Sequence, residues 1–123
     1  MNRSARIFEE YVKRALEMLP GEFRERMENI AISVEAYPTR EDLRSVGVTN
    51  KRHLLGIFRG IPFNTVSPFY SGPVMPSEIV LFQRNIEAIA DTEDDLIEEI
   101  RITLLHEIGH YFGMSDEELE QYH

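Results

Sequence analysis

The sequence contains no cysteine, which excludes disulfide bonds and thiolate metal ligands. Any metal ion bound by this chain must therefore be held by histidine, aspartate or glutamate. No apolar run approaches the roughly 20 residues needed to cross a bilayer. The N-terminal segment also lacks the apolar stretch of a secretory signal peptide. These absences favour a cytoplasmic protein with no membrane partner.

Basic residues are scarce as well. Against 22 acidic residues there are 13 lysines and arginines, and the formal net charge is -9. Such a surface repels phosphate groups, so we expect no nucleic acid partner. The length of 123 residues suits one domain with a single core, which we place over residues 1–123. The sequence indicates no particular oligomeric state.

The first two thirds of the chain contain a helical region followed by strand patterns. Apolar residues at helical spacing predict an N-terminal helix over residues 4–19, ended by Pro20 and Gly21, with residues 22–28 as a short helical continuation. Thr39 with Asp42 is typical of a helix N-cap. Apolar runs predict strands at residues 29–36, 54–59 and 79–82, and a short fourth strand near residues 63–66 is left open.

The last third is dominated by a long helix. It is predicted to begin at Asp91 or Thr92, with acidic residues in its first turn, and to run to Phe112. Gly113 is well placed as a left-handed terminating residue. Ser115 with Glu118 forms a capping box for a short last helix at residues 116–122. The order of helix, strands, long helix and short helix predicts an α+β fold with a small sheet.

The long helix carries His106-Glu107-Ile108-Gly109-His110. Helix residues four apart lie on one face, so His106 and His110 are predicted to bind one metal ion. Glu107 lies about 100° further round the helix, beside the metal, where a base for a metal-bound water must sit. The alternative is that the motif binds no metal and consists of two solvated histidines on a helix surface. The apolar residues around the motif weigh against it, because a largely buried helix should not present unpaired histidines.

A zinc site with an open position needs a third protein ligand. A chain reversed at Gly113 would bring Asp116 back to the metal, and Glu117 is the alternative ligand. An acid at the start of a helix is also common for electrostatic reasons alone.

The pattern His106-Glu107-x-x-His110-x-x-Gly113-x-x-Asp116 resembles the extended zinc motif of the zincin metallopeptidases, with aspartate in place of the third histidine of metzincins. The whole chain is similar to a bacterial family of very small zincin-like metallopeptidases. The resemblance implies a zincin-like core: a small twisted mixed sheet of three or four strands, packed on the N-terminal helix and the long active-site helix, with a short C-terminal helix. It also implies that His106, His110 and Asp116 are ligands and Glu107 is the base.

These features predict a zinc-dependent metallopeptidase that hydrolyses peptide or protein substrates with a zinc-bound water activated by Glu107. Resemblance and ligand type favour Zn²⁺ over iron or nickel. The alternative is a non-catalytic zinc-stabilised binding or regulatory domain on the same scaffold, suggested by the small size and the missing substrate subdomain. A metal-dependent nuclease is opposed by the net charge.

Several other residues have open roles. Thr103 lies one turn before His106 and either faces the site or bonds to the backbone. The candidates for stabilising a developing oxyanion are Tyr70, Tyr111 and Tyr122, and the sequence does not select among them.

Overall fold

The computed structural model describes residues 2–27, 30–60 and 77–122. Its elements follow the order predicted from the sequence, with additions. They are α1 (Ala5–Glu17), α2 (Gly21–Arg26), β1 (Ala31–Glu35), α3 (Arg40–Val46), a 3₁₀ turn (Lys51–His53), β2 (Gly56–Arg59), β3 (Glu78–Phe82), α4 (Gln83–Ile89), α5 (Glu93–Tyr111) and α6 (Asp116–Glu120).

The described sheet has three strands in the order β1-β3-β2. β1 runs parallel to β3, with Ala31 opposite Glu78, whereas β2 runs antiparallel to β3, with Arg59 opposite the same Glu78. The sheet is therefore mixed, and among the described strands β2 and β1 lie at its two edges. The α+β prediction with three strands is confirmed, while the segment left open as a fourth strand lies outside the described residues.

The core lies between one face of the sheet and the two longest helices. Strand residues alternate between faces, so Ile79 and Leu81 point to α1 and α5, where they are fully buried with Phe8 and Leu104. The opposite face carries a smaller apolar cluster of Ile57, Val80 and Phe82. α5 is buried along most of its length because α1 packs against one side of it and the sheet against another.

Helix ends follow the local chemistry of the sequence. Ser4 accepts a hydrogen bond from the Ile7 amide at the start of α1, and Thr92 does the same for the Asp95 amide at the start of α5. Thr39 and Asp42 form a reciprocal capping box that opens α3. Among the described residues, no helix has both the length and the apolar character that crossing a membrane requires.

One helix was not predicted. α4 follows β3 without a break, and its buried residues include Gln83, Asn85 and Glu87. Asn85 donates hydrogen bonds to the carbonyl oxygens of Lys51 and Leu54, at 2.6 and 2.7 Å. The buried face of α4 is polar because it satisfies backbone groups, so the apolar spacing that reveals a helix is absent.

Candidate metal centre

The last two turns of α5 place both histidines at the surface. The imidazole centroids of His106 and His110 are 6.0 Å apart, as expected for residues one turn apart on a helix. The His106 side chain is 28% exposed and that of His110 is 50% exposed. The neighbouring Leu105 and Ile108 are fully buried and anchor this turn in the core.

A tight reversal after α5 returns the chain to these histidines. Gly113 has a φ of 76°, in the left-handed region that favours glycine, and its amide donates to the His110 carbonyl oxygen at 3.0 Å. The Met114 amide donates to the Gly109 carbonyl oxygen at 2.8 Å. Ser115 then caps α6 through a reciprocal capping box with Glu118.

This reversal brings Asp116 against both rings. Its Oδ1 atom lies 3.1 Å from His110 Nε2 and 3.8 Å from His106 Nδ1. One possible ligand atom from each of the three residues lies within 4.8 Å of the others. We call His106, His110 and Asp116 the ligand triad. In tetrahedral zinc coordination, ligand atoms about 2.0–2.1 Å from the ion lie roughly 3.3 Å apart. The two distances from Asp116, 3.1 and 3.8 Å, are close to this spacing, so the three residues could hold one zinc ion after small movements of their side chains.

The electrostatics of the ligand triad reflect this closeness. A hydrogen bond with His110, together with the charge of His110, holds the pKa of Asp116 below the ordinary value for an aspartate. Asp116 is thus present as a carboxylate at neutral pH, which is the form that binds a metal ion. Its side chain is 80% exposed, so solvent has access to this side of the triad.

Glu107 occupies a different environment from Asp116. The residue is only partly accessible, and burial raises the pKa of its carboxyl group to about 7, although the nearby His110 acts in the opposite direction. A carboxyl group with a pKa near the working pH is suited to accepting and returning a proton. The adjacent positions 106 and 107 therefore combine a predicted metal ligand with a group suited to acid–base chemistry.

The edge strand β2 lies along the same stretch of α5. Phe58 stacks on Tyr111 with ring centroids 4.6 Å apart and an interplanar angle of 23°. Gly56 lies so close to Thr103 that an added Cβ atom would be 2.7 Å from Thr103 Cγ2. Glycine at position 56 therefore permits the strand to approach the helix. Reasoning from the sequence missed this contact, although a glycine inside an apolar strand signals close approach.

Most other expected site residues have structural partners. Thr103 donates its hydroxyl to the Glu99 carbonyl oxygen at 2.8 Å, which supports the backbone-bonded interpretation. Tyr122 packs on Phe23, and a hydrogen bond with Glu22 raises its pKa, so it is engaged with α2. Tyr70 lies outside the described residues. The third tyrosine, Tyr111, is the last residue of α5 and directly follows His110 in the chain.

The structure does not bring Glu117 into the ligand triad, which consists of His106, His110 and Asp116 among the described residues. This geometry favours Asp116 over Glu117 as the third ligand. The assignment of ligands and base stays a prediction that direct metal analysis must test.

The model of the zincin-like metallopeptidase family matches residues 27–123. The matched segment includes the whole described sheet, α5 and α6, and the chain belongs to the zincin-like metallopeptidases. The family resemblance drawn from the sequence is confirmed, together with the α+β fold class. A comparison with curated proteins finds no match.

Proposed function

We propose that the chain is a zinc-dependent peptidase in which His106, His110 and Asp116 hold the metal and Glu107 is the general base. The observation that carries this proposal is the convergence of three donor atoms within 4.8 Å beside a carboxyl group whose pKa is raised to about 7. Membership of the zincin-like metallopeptidases supports the same reaction class.

When bound, zinc would polarise the peptide carbonyl and make a water molecule more acidic. Glu107 would accept a proton from that water and later donate it to the leaving amine nitrogen. Its partial burial favours this role, because a carboxyl group with a pKa near 7 both takes up and releases protons at neutral pH. The exposed side of the ligand triad leaves room for a substrate to approach.

The edge strand β2 is the proposed guide for the substrate. An extended peptide can add to a sheet edge through main-chain hydrogen bonds, which gives binding that tolerates different sequences. Phe58 and Gly56 fix β2 against the part of α5 that carries both histidines. A peptide lying along this edge would therefore run past the ligand triad.

The non-catalytic alternative requires a closed zinc site with four ligands. The group found among the described residues has three members, and the Asp116 side chain is 80% exposed. This openness favours the catalytic proposal over a sealed structural site.

Metal content tests the ligand triad. Purified protein should carry about one zinc per chain by mass spectrometry. His106→Ala should lose the metal, and Asp116→Ala should bind it more weakly, since each removes a ligand. His53→Ala and Asp94→Ala are matched controls, because His53 and Asp94 are exposed and lie outside the triad. Wild-type protein that takes up no metal even from added zinc would overturn the proposal.

A second experiment separates metal binding from catalysis. Glu107→Gln keeps the side-chain shape but cannot accept the proton, so cleavage of a peptide library should fall by about 10²–10⁴-fold. Zinc content should stay at the wild-type level. Glu99→Gln, on the same helix two turns earlier, is the control for loss of a negative charge. A Glu107→Gln protein that cleaves as fast as wild type would refute the role of Glu107.

A further inference from the structure

The third ligand depends on a very short element. Asp116 is the first residue of α6, which has only five residues. An isolated helix of this length is not stable in water. The position of the Asp116 carboxylate must therefore be set by whatever holds α6 against the rest of the fold.

Leu119 is the residue that anchors α6. It is fully buried and belongs to the main core, whereas the other residues of α6 are exposed. Its side chain packs directly onto Gly109 of α5. A Cβ atom added at position 109 would lie 2.7 Å from Leu119 Cδ1 and 2.9 Å from Cγ, and closer still to Cδ2. Ordinary carbon–carbon contacts are about 3.5–4.0 Å, so only glycine allows this approach.

Gly109 is costly in its own helix. It lies inside α5, and a glycine in a helix interior is less favourable than alanine. The same residue also accepts the hydrogen bond from the Met114 amide that closes the chain reversal. Gly109 therefore helps the chain to fold back against α5 in two ways: it has no side chain to block Leu119, and its carbonyl oxygen accepts a hydrogen bond from the reversed segment.

The contact aligns the two helices at the ligands. Gly109 lies three residues after His106 on α5, and Leu119 lies three residues after Asp116 on α6, so each pair shares one side of its helix. Leu119 packs against Gly109. One turn earlier on α6, Asp116 contacts the imidazoles, and its Oδ1 atom lies 3.1 Å from His110 Nε2.

We propose that Gly109 and Leu119 are positioning residues that set the third zinc ligand, Asp116, through direct contact between α5 and α6. The inference rests on the zinc site proposed above. A side chain at position 109 should push α6 outwards and move the carboxylate away from the histidines, while His106 and His110 stay on α5.

The test measures zinc affinity by competition with a chromophoric chelator, supported by the absorption spectrum of the cobalt-substituted protein. Gly109→Ala should weaken zinc binding by about 10–100-fold, the size of effect seen when groups supporting a ligand are altered. Gly21→Ala is the matched control, because an added Cβ atom there meets nothing within 4 Å. It should bind zinc like wild type.

The decisive comparison uses Asp116→Ala as a background. If Gly109 acts through Asp116, adding Gly109→Ala to Asp116→Ala should change zinc affinity by less than about threefold, since coupled effects are not additive. A general disturbance of α5 would lower affinity in both backgrounds by the same factor, and that result would overturn the inference.

Leu119→Ala supplies an independent variant should Gly109→Ala fail to fold. It loosens α6 from the other side of the contact and should also weaken zinc binding by about 10–100-fold, again without effect in the Asp116→Ala background. If folded Gly109→Ala or Leu119→Ala protein binds zinc with wild-type affinity, this inference is overturned and the proposed function is not affected. Absence of zinc binding in the wild type would instead overturn the proposed function.

Discussion

Two groups of polar side chains lie on opposite sides of β2: the ligand triad, with one carboxylate and two imidazoles, and a group in which three carboxylates surround an arginine. Phe58 faces α5 and the ligand triad, whereas its neighbour Arg59 points to the other face of the sheet. There the Arg59 guanidinium makes bidentate hydrogen bonds to the carboxylates of Glu35 and Asp42, at 2.7–3.1 Å. It also lies 3.5 Å from the Glu78 carboxylate. We call Glu35, Asp42, Arg59 and Glu78 the Arg59 cluster.

The difference lies in burial and in the source of the positive charge. In the Arg59 cluster the chain supplies the cation itself, and the Asp42 side chain is only 7% exposed. In the ligand triad the acid is 80% exposed and faces two imidazoles whose nitrogens converge with it. An acid paired with a guanidinium holds elements together, here α3 on the sheet. An acid that converges with histidine nitrogens has lone pairs available for a metal ion, which is the role proposed above for Asp116.

The largest effect on stability should come from removing the cation of the Arg59 cluster. Arg59→Met leaves Asp42 buried without its charged partner and should lower the free energy of unfolding by about 2–4 kcal/mol. This is less than for a fully buried pair, because 33% of the Arg59 side chain is exposed. Urea unfolding in the presence of a chelator measures this change, and zinc stoichiometry should not alter.

The matched control is a surface pair of the same kind. Arg14 pairs with Glu93 at 2.9 Å, but the two side chains are 59% and 47% exposed. Arg14→Met should therefore cost at most about 1 kcal/mol. Equal losses in the two variants would show that the Arg59 cluster does not hold the fold as described.

The same substitution in the two clusters should have opposite consequences. Asp42→Asn weakens the bonds to Arg59 and should lower stability by about 1–3 kcal/mol, with zinc affinity unchanged. Asp116→Asn should weaken zinc binding and lower the stability of the metal-free protein much less than Asp42→Asn does, because the Asp116 side chain is exposed. Urea unfolding in chelator and zinc competition, run on both proteins, provide the four values. A metal-free Asp116→Asn protein that is destabilised as much as Asp42→Asn would remove the contrast.

The parts of the site that were predicted from the sequence are those coded locally. His106 and His110 are one helical turn apart, Gly113 suits a left-handed turn, and Ser115 with Glu118 is a capping signature. Each of these needs only a few neighbouring residues.

The parts that were missed depend on contacts between distant segments. Gly56 meets Thr103 and Gly109 meets Leu119, and the need for glycine appears only when the partner is known. The Arg59 cluster joins β1, α3, β2 and β3, so no single stretch of sequence reveals it. α4 was missed because its buried side chains are polar and bond to backbone groups.

The smallest expected effect is the dependence of the Asp42 contribution on pH. Hydrogen bonds from Arg59 hold the pKa of Asp42 below its ordinary value near 3.9. At a pH between the folded and unfolded pKa values of Asp42 the unfolded chain binds more protons. The contribution of Asp42 to stability is therefore complete above about pH 5 and is lost as the pH falls through the folded pKa.

The stability difference between wild type and Asp42→Asn in chelator should therefore be constant from about pH 7 to pH 5 and narrow below about pH 4. Asp116, whose pKa is also lowered, is present in both proteins and cancels in the difference. A difference that narrows above pH 5, or stays constant down to pH 3, would show that the charge of Asp42 is not what fastens α3 to the sheet.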